Sequence, residues 1–298
     1  MLFARQRLLL ALLHSLGGRM AHTDFQKLLF LYTKEWEAEP SYEFVPYKFG
    51  GFSFTSYADK RRLSEQGLLE TDEQHWILTE TGRLAALRER SLGSRLERFD
   101  QRYQKLRGNI LIAEQYRRFP YYAIRSEIIA KIITDKSELA RIEATKPTPR
   151  PPGLLTIGYE GKSLEQYLNQ LISESVTLLC DVRRNPLSRK YGFSKSTLLS
   201  ACEGVGIRYE HLPELGIASE ERRDLSCQAD YDALFEIYER DNLPIQRSAL
   251  MKIQSWIQDD KCRVALTCYE AQPCQCHRHC VAEALEKLGG QLFLPQHL

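Results

Sequence analysis

The spacing of apolar positions changes once along the chain, at a run of prolines. Before that run, "RQRLLLALLHSL" (5–16) and "DFQKLLFLYTKEWE" (24–37) repeat apolar residues at helical intervals, which predicts two helices, the second N-capped by Asp24. "YKFGGFSFTSYADKRRLSEQGLLE" (47–70) reads as a Gly-Gly turn, a third helix ending at Gly67 and a short strand. "HWILTETG" (75–82) gives a second strand. Three helices followed by a two-stranded ribbon is the order of a winged helix, with the third as recognition helix. Residues 84–143 predict two long amphipathic helices broken at "RRFPYYA", a hairpin or a homodimer contact.

"KPTPRPPG" (146–153) cannot continue a helix and reads as a stiff linker between a first domain (1–145) and a second (154–298). Beyond it the pattern alternates. "LLTIG", "TLLCDV", "IRYEHL", "CRVALTC" and "QLFL" read as buried strands. The helical stretches between them begin with "SLEQYLNQLISES" and end with "HRHCVAEALEKLGG". Alternation of this kind predicts an α/β domain with a mostly parallel sheet, preceded by a mainly helical, winged-helix-like domain.

Charge sharpens this picture locally rather than globally. The net charge is +2, with 23 Lys and Arg against 19 Asp and Glu in residues 1–145 and the balance reversed beyond. Lys60, Arg61 and Arg62 fall on the third helix, where they would meet DNA phosphates. "RRNPLSRKYGFSK" (183–195) holds five basic residues and no acid, interleaved with Tyr191 and Phe193, a mixture suited to phosphates beside stacked bases. Eight cysteines in a chain of 298 residues read as free thiols of a cytoplasmic protein rather than a disulfide framework. The apolar start is too short to span a bilayer, so no membrane partner is expected.

In an open parallel sheet ligands bind beyond the carboxyl ends of the strands. Those positions deliver Tyr159, Glu160 and Ser163; Asp181, Arg183, Arg184, Ser188 and Lys195; His211 and Glu214; and Cys268, Tyr269 and Glu270. Taken singly, each suits a cap or a loop ion pair; their convergence on one edge points to a site. Asp181 follows an apolar run and precedes two arginines, whose charge favours a carboxylate over a carboxylic acid. It is the first candidate catalytic group, with Glu270 and Glu160 behind it. Tyr159, Phe193, Tyr209, Tyr269, His211 and Glu214 are candidates for holding a base. "PCQCHRHC" (273–280) raises the question of zinc. Four ligands two or three residues apart do not make a usual structural site, and Cys227 and Cys268 do not supply a Cys-x-x-Cys pair. The preferred reading is a helix N-terminus holding an anion, with His277 and Arg278 on phosphate, no metal and no cofactor.

"TIGYEGKSLEQYL", "LLCDVRRNPLSRKYGFSKSTL", "GIRYEHLPELG" and "VALTCYEAQPCQCHRHCVAEAL" together resemble the bacterial family known only as domain of unknown function 488, over about residues 154–297. The resemblance implies the α/β fold and a site built from Asp181, Arg183, Pro186, Ser188, the "HLPELG" turn, Glu270 and Cys276-His277-Arg278. Cys274 and Cys280 are extra to that pattern. The whole chain is similar to prokaryotic antiviral DNA glycosylases that act on glucosylated hydroxymethylcytosine in phage DNA. That similarity implies a hydrolase that flips a modified base out of duplex DNA and excises it. Two other classes stay open: a DNA-binding regulator that senses a small anion, and a cysteine-dependent sulfurtransferase using Cys268 or Cys276.

Overall fold

The computed structural model describes residues 2–218, 220–222 and 225–298, Arg90 by its backbone alone. The chain divides into two compact units, Met1–Lys146 and Pro147–Leu298.

The first unit runs α1 (Ala4–Ser15), β1 (Arg19–Ala21), α2 (His22–Trp36), β2 (Val45–Tyr47), β3 (Gly50–Phe52), α3 (Phe54–Glu65), β4 (His75–Ile77) and α4 (Glu80–Ala86). Four more helices follow: α5 (Gly93–Tyr103), α6 (Gly108–Arg118), α7 (Ile129–Ile132) and α8 (Lys136–Glu143). Leu8 to Leu13 are buried in succession, so this stretch of α1 is apolar all round and sits inside the unit. Ser53 caps α3, its Oγ accepting from the Ser56 amide. Gly67, at φ +69°, reverses the chain after the helix.

The expected ribbon is smaller than its sequence suggests. "GLLE" contributes a single bridge, Leu69 to Leu78, and β4 pairs instead with β1, Met20 opposite Trp76. The unit is mainly helical with small antiparallel sheets and only loosely follows the winged-helix order, since the β2–β3 hairpin stands before α3. The two long helices expected over 84–143 are several short ones. Leu96, Phe99 and Tyr103 of α5 are buried, the Phe99 ring 5.2 Å from Tyr32 and 5.9 Å from Trp36 of α2. Ile112 and Tyr116 of α6 close a smaller core with Ile133 and Ile142. These apolar faces are used within the unit, while Leu84, Leu87 and Ile110 of the same stretch are exposed.

Lys60 also departs from its expected role. It is buried, and its Nζ donates to the carbonyls of Asp72 (2.6 Å) and His75 (2.8 Å) and sits 2.6 Å from His22 Nε2. It fastens α3 to the turn before β4 and is not offered to phosphate. Arg61 and Arg62 are exposed on the same helix. Asp59, one residue before, ties α3 to α1 through Arg5 (2.6 Å) and Gln6 (2.7 Å).

The second unit holds one five-stranded parallel sheet, in the order β7 (Arg208–His211), β6 (Leu178–Asp181), β8 (Arg263–Cys268), β5 (Gly153–Gly158), β9 (Gln296–His297). The three inner strands are buried at every position and the edge strands are not, which is why the inner ones read as unbroken apolar runs. Helices α9 (Leu164–Ser173), α10 (Lys195–Gly204), α11 (Gln228–Ile237), α12 (Arg247–Gln258) and α13 (Arg278–Gly289) connect and cover them. "QLFL" is not the last strand. It forms a tight turn that buries Phe293, and the two residues that pair with β5 come after it. Among the described residues no helix is long and apolar enough to cross a membrane.

Candidate functional site

Strands β6, β8 and β5 lie side by side although they are second, fourth and first in the unit. A cleft opens at their carboxyl ends, where a parallel sheet changes the direction of its winding. Its volume is about 400 Å³, and Tyr159, Arg183, Arg184, Ser188, Arg189, Lys190, Arg222, Cys268, Tyr269 and Glu270 line it. A groove of about 430 Å³ also exists; it is framed by helix residues such as Leu243, Leu250 and Leu288 together with Glu239, Arg247 and Cys280, rather than by the strand ends.

Asp181 is the clearest correction. It is fully buried at the end of β6, and both its oxygens are occupied. Oδ1 accepts from the Arg183 amide (3.1 Å) and Nε (2.8 Å); Oδ2 accepts from Arg183 Nη2 (2.5 Å) and the Tyr209 hydroxyl (2.7 Å). Arg183 is buried too, and its Nη1 goes to the Tyr159 hydroxyl (2.9 Å) and the Phe193 carbonyl (2.8 Å). Burial works against the charge on Arg183, and Asp181 more than offsets it, so the guanidinium pKa is raised. Asp181 does not line the cleft, and Arg183 has spent its donors inside the protein rather than on phosphate. Their bidentate pair sets the shape of the loop after β6.

The other expected residues sort themselves by the same accounting. Tyr159 lies in the cleft wall, stacked on Phe193 at 4.3 Å, while Phe193 itself is buried beneath it. Tyr269 is 43% exposed and meets Tyr159 edge to face at 5.3 Å, so it is the aromatic ring a ligand can reach. Tyr209 is a partner of Asp181, not of a base. His211 places Nε2 2.9 Å from the Arg183 carbonyl and Nδ1 3.1 Å from Lys195 Nζ, and both stand outside the cleft lining, as does Glu214. Glu160 is exposed and accepts from the Ala271 amide at 2.9 Å, a loop tie rather than a catalytic position. Arg278 is fully buried. It donates to the carbonyls of Glu270 and Ala271 (2.9 Å) and holds the loop after β8, so it is no phosphate clamp. The loop packs so closely that a Cβ on Gly158 would lie 1.9 Å from the Glu270 carbonyl oxygen.

Glu270 is the carboxylate that faces the cleft. Its Oε1 pairs with Arg222, a residue from the stretch between β7 and α11 that no periodicity marks. Burial opposes the charge on Glu270, but Arg222, the backbone and the Cys276 thiol outweigh it and hold the carboxyl below its ordinary value. Behind Glu270 the loop folds back, and the donor atoms of Cys268, Cys276 and His277 lie within 4.8 Å of one another, all three buried. His277 Nε2 is 3.0 Å from the Val182 carbonyl, so this residue too is internal and not on phosphate. Burial pushes the Cys276 thiol well above its ordinary value, the reverse of what a nucleophilic thiolate needs.

No curated protein and no solved structure matches the chain. The family described as Domain of unknown function DUF488 matches residues 163–285, a narrower span than 154–297 that leaves β5 and Tyr159 outside. The match lies within the second unit, from the start of α9 into α13, and takes in Asp181, Arg183, Glu270, Cys276 and His277.

Proposed function

We propose that the chain is a DNA-acting hydrolase, an N-glycosylase that takes a modified base into the cleft at the β6–β8–β5 edge and releases it, leaving an abasic site. One observation carries this: a single cleft joins a carboxylate (Glu270), a reachable aromatic ring (Tyr269) and a basic rim (Arg184, Arg189, Lys190). Breaking an N-glycosidic bond builds positive charge on the sugar, and a fixed carboxylate stabilises that charge or orients the attacking water, as in glycoside hydrolysis. A flipped base needs an aromatic face to replace the stacking it has lost, and its flanking phosphates need cations. The volume suits a nucleotide. Arg61 and Arg62 on α3 would hold the duplex from the winged-helix unit. Glucosylated hydroxymethylcytosine in phage DNA is the substrate this reading favours, with defence against phage as the setting.

The test is incubation of the purified protein with glucosylated and with unmodified phage DNA, followed by mass spectrometry of released bases and an abasic-site assay. Base release from the glucosylated DNA alone is the expected result. Tight DNA binding with no released base from either DNA would leave a regulator instead.

A further inference from the structure

We infer that Cys268, Cys276 and His277 form a binding site for a zinc-class divalent ion on the inner side of the cleft, with Glu270 beside it rather than in it. This goes beyond the DNA reading and does not need it. Cys268 comes from the end of β8, and Cys276 and His277 from the turn into α13, so two separate segments supply the donors. All three side chains are at most 1% exposed. Cys268 Sγ lies 3.8 Å from His277 Nδ1 and 3.5 Å from Glu270 Oε2. With metal–sulfur bonds of about 2.3 Å and metal–nitrogen or metal–oxygen bonds of about 2.0–2.2 Å, the edges of a tetrahedral site are about 3.6 Å long. The Cys268–His277 separation matches such an edge, and Glu270 Oε2 stands next to the sulfur.

The second coordination layer agrees. His277 Nε2 faces the Val182 carbonyl at 3.0 Å and so carries the ring proton, which leaves the Nδ1 lone pair aimed at Cys268. Glu270 Oε1 is held by Arg222, which turns Oε2 toward the sulfur. Two thiolates and one imidazole select zinc over magnesium or calcium, which take oxygen donors. The sequence hid this arrangement because the useful partner of "CQCHRHC" is a cysteine at a strand end, and Cys274 and Cys280, which fill out the motif, are not in the cluster. Cys268 and Glu270 also line the cleft, so the ion would lie against the place where a ligand enters.

The experiment is elemental analysis of the full chain after zinc loading and dialysis, with cobalt substitution as a spectroscopic probe. About one zinc per chain is expected, and cobalt should show thiolate-to-metal charge transfer with tetrahedral visible bands. Zinc should also slow alkylation of Cys268 and Cys276 relative to the chelator-treated chain, while Cys227 and Cys274, both exposed, react alike with and without it. Cys268→Ser with Cys276→Ser should lose the metal, and Cys227→Ala with Cys274→Ala should keep it. If the double serine variant fails to fold, the cobalt spectrum and thiol shielding of the unaltered chain decide. Folded protein that takes up no zinc, a cobalt spectrum without thiolate bands, alkylation of Cys268 and Cys276 unchanged by zinc, or a Cys268–Cys276 disulfide in the purified chain would each overturn the site. These readouts are separate from base release, so a metal-free glycosylase and a zinc protein inactive on DNA are distinguishable.

Discussion

Asp181 ends β6 and Glu270 follows the end of β8, the strand beside it, yet one carboxylate is sealed and the other meets the cleft. In sequence both are acids just past an apolar run. They differ in what the next few residues do. The chain after Asp181 turns Arg183 straight back onto it, and Tyr209 from β7 closes the last lone pair. The loop after Glu270 sends Arg278 to main-chain carbonyls, and the arginine on the Glu270 carboxylate arrives from a distant segment on the cleft side. A strand-end carboxylate is thus a building part when its own loop supplies the cation, and is open to chemistry when the cation comes from elsewhere.

The largest expected effect tests the sealed half. Asp181→Asn leaves Arg183 as a buried cation without its counter-charge, a loss of about 3–5 kcal/mol in unfolding free energy. Glu270→Gln breaks a pair whose arginine is partly exposed, so its cost is about 1 kcal/mol or less. Urea denaturation of both variants reads the difference, and equal costs would break the comparison.

The first unit offers a sealed charge without any carboxylate. Lys27 is buried, its Nζ donates to the Gly51 carbonyl at 2.9 Å, and burial lowers its pKa to about 7. Between that value and the usual lysine value, the unfolded chain binds the extra proton, so stability rises with pH through this window and is lowest below it. The rise attributable to Lys27 is on the order of a few kcal/mol, at about 1.4 kcal/mol per pKa unit. Lys27→Met should flatten it. A parallel pH dependence in both proteins would show that Lys27 stays charged when folded.

A smaller effect separates sealed from open cations on α3. Neutralising Arg61 and Arg62 should lower the salt slope of DNA binding by about two, at close to one per phosphate contact. Lys60→Gln should leave that slope unchanged and weaken the fold, because its ammonium is spent on the Asp72 and His75 carbonyls. If the slope falls with Lys60 and not with the arginines, the assignment of the exposed face is reversed.

What was legible in the sequence follows from range. Buried inner strands and their connecting helices are written as local apolar periods, so the α/β order could be read directly. Short strands were not, since three-residue β1 finds its partner some 55 residues later and Leu69 keeps only a bridge. The strand ends pointed to an edge that carries a cleft, with Tyr159, Arg184, Ser188, Tyr269 and Glu270 in its wall. Which acid was sealed could not be read, because that depends on the direction of Arg183 and on Tyr209 reaching across from another strand. Arg222 carries no local signal at all: it sits in "EERRD", an ordinary charged run, and gains its meaning only by meeting Glu270.

The central claim is that the open carboxylate is the working one. Single-turnover release of base from glucosylated phage DNA by Glu270→Gln tests it most directly, with folding checked by circular dichroism. The account predicts DNA affinity near that of the unaltered protein and base release lower by about 100-fold or more. Near-normal release from folded Glu270→Gln would contradict it.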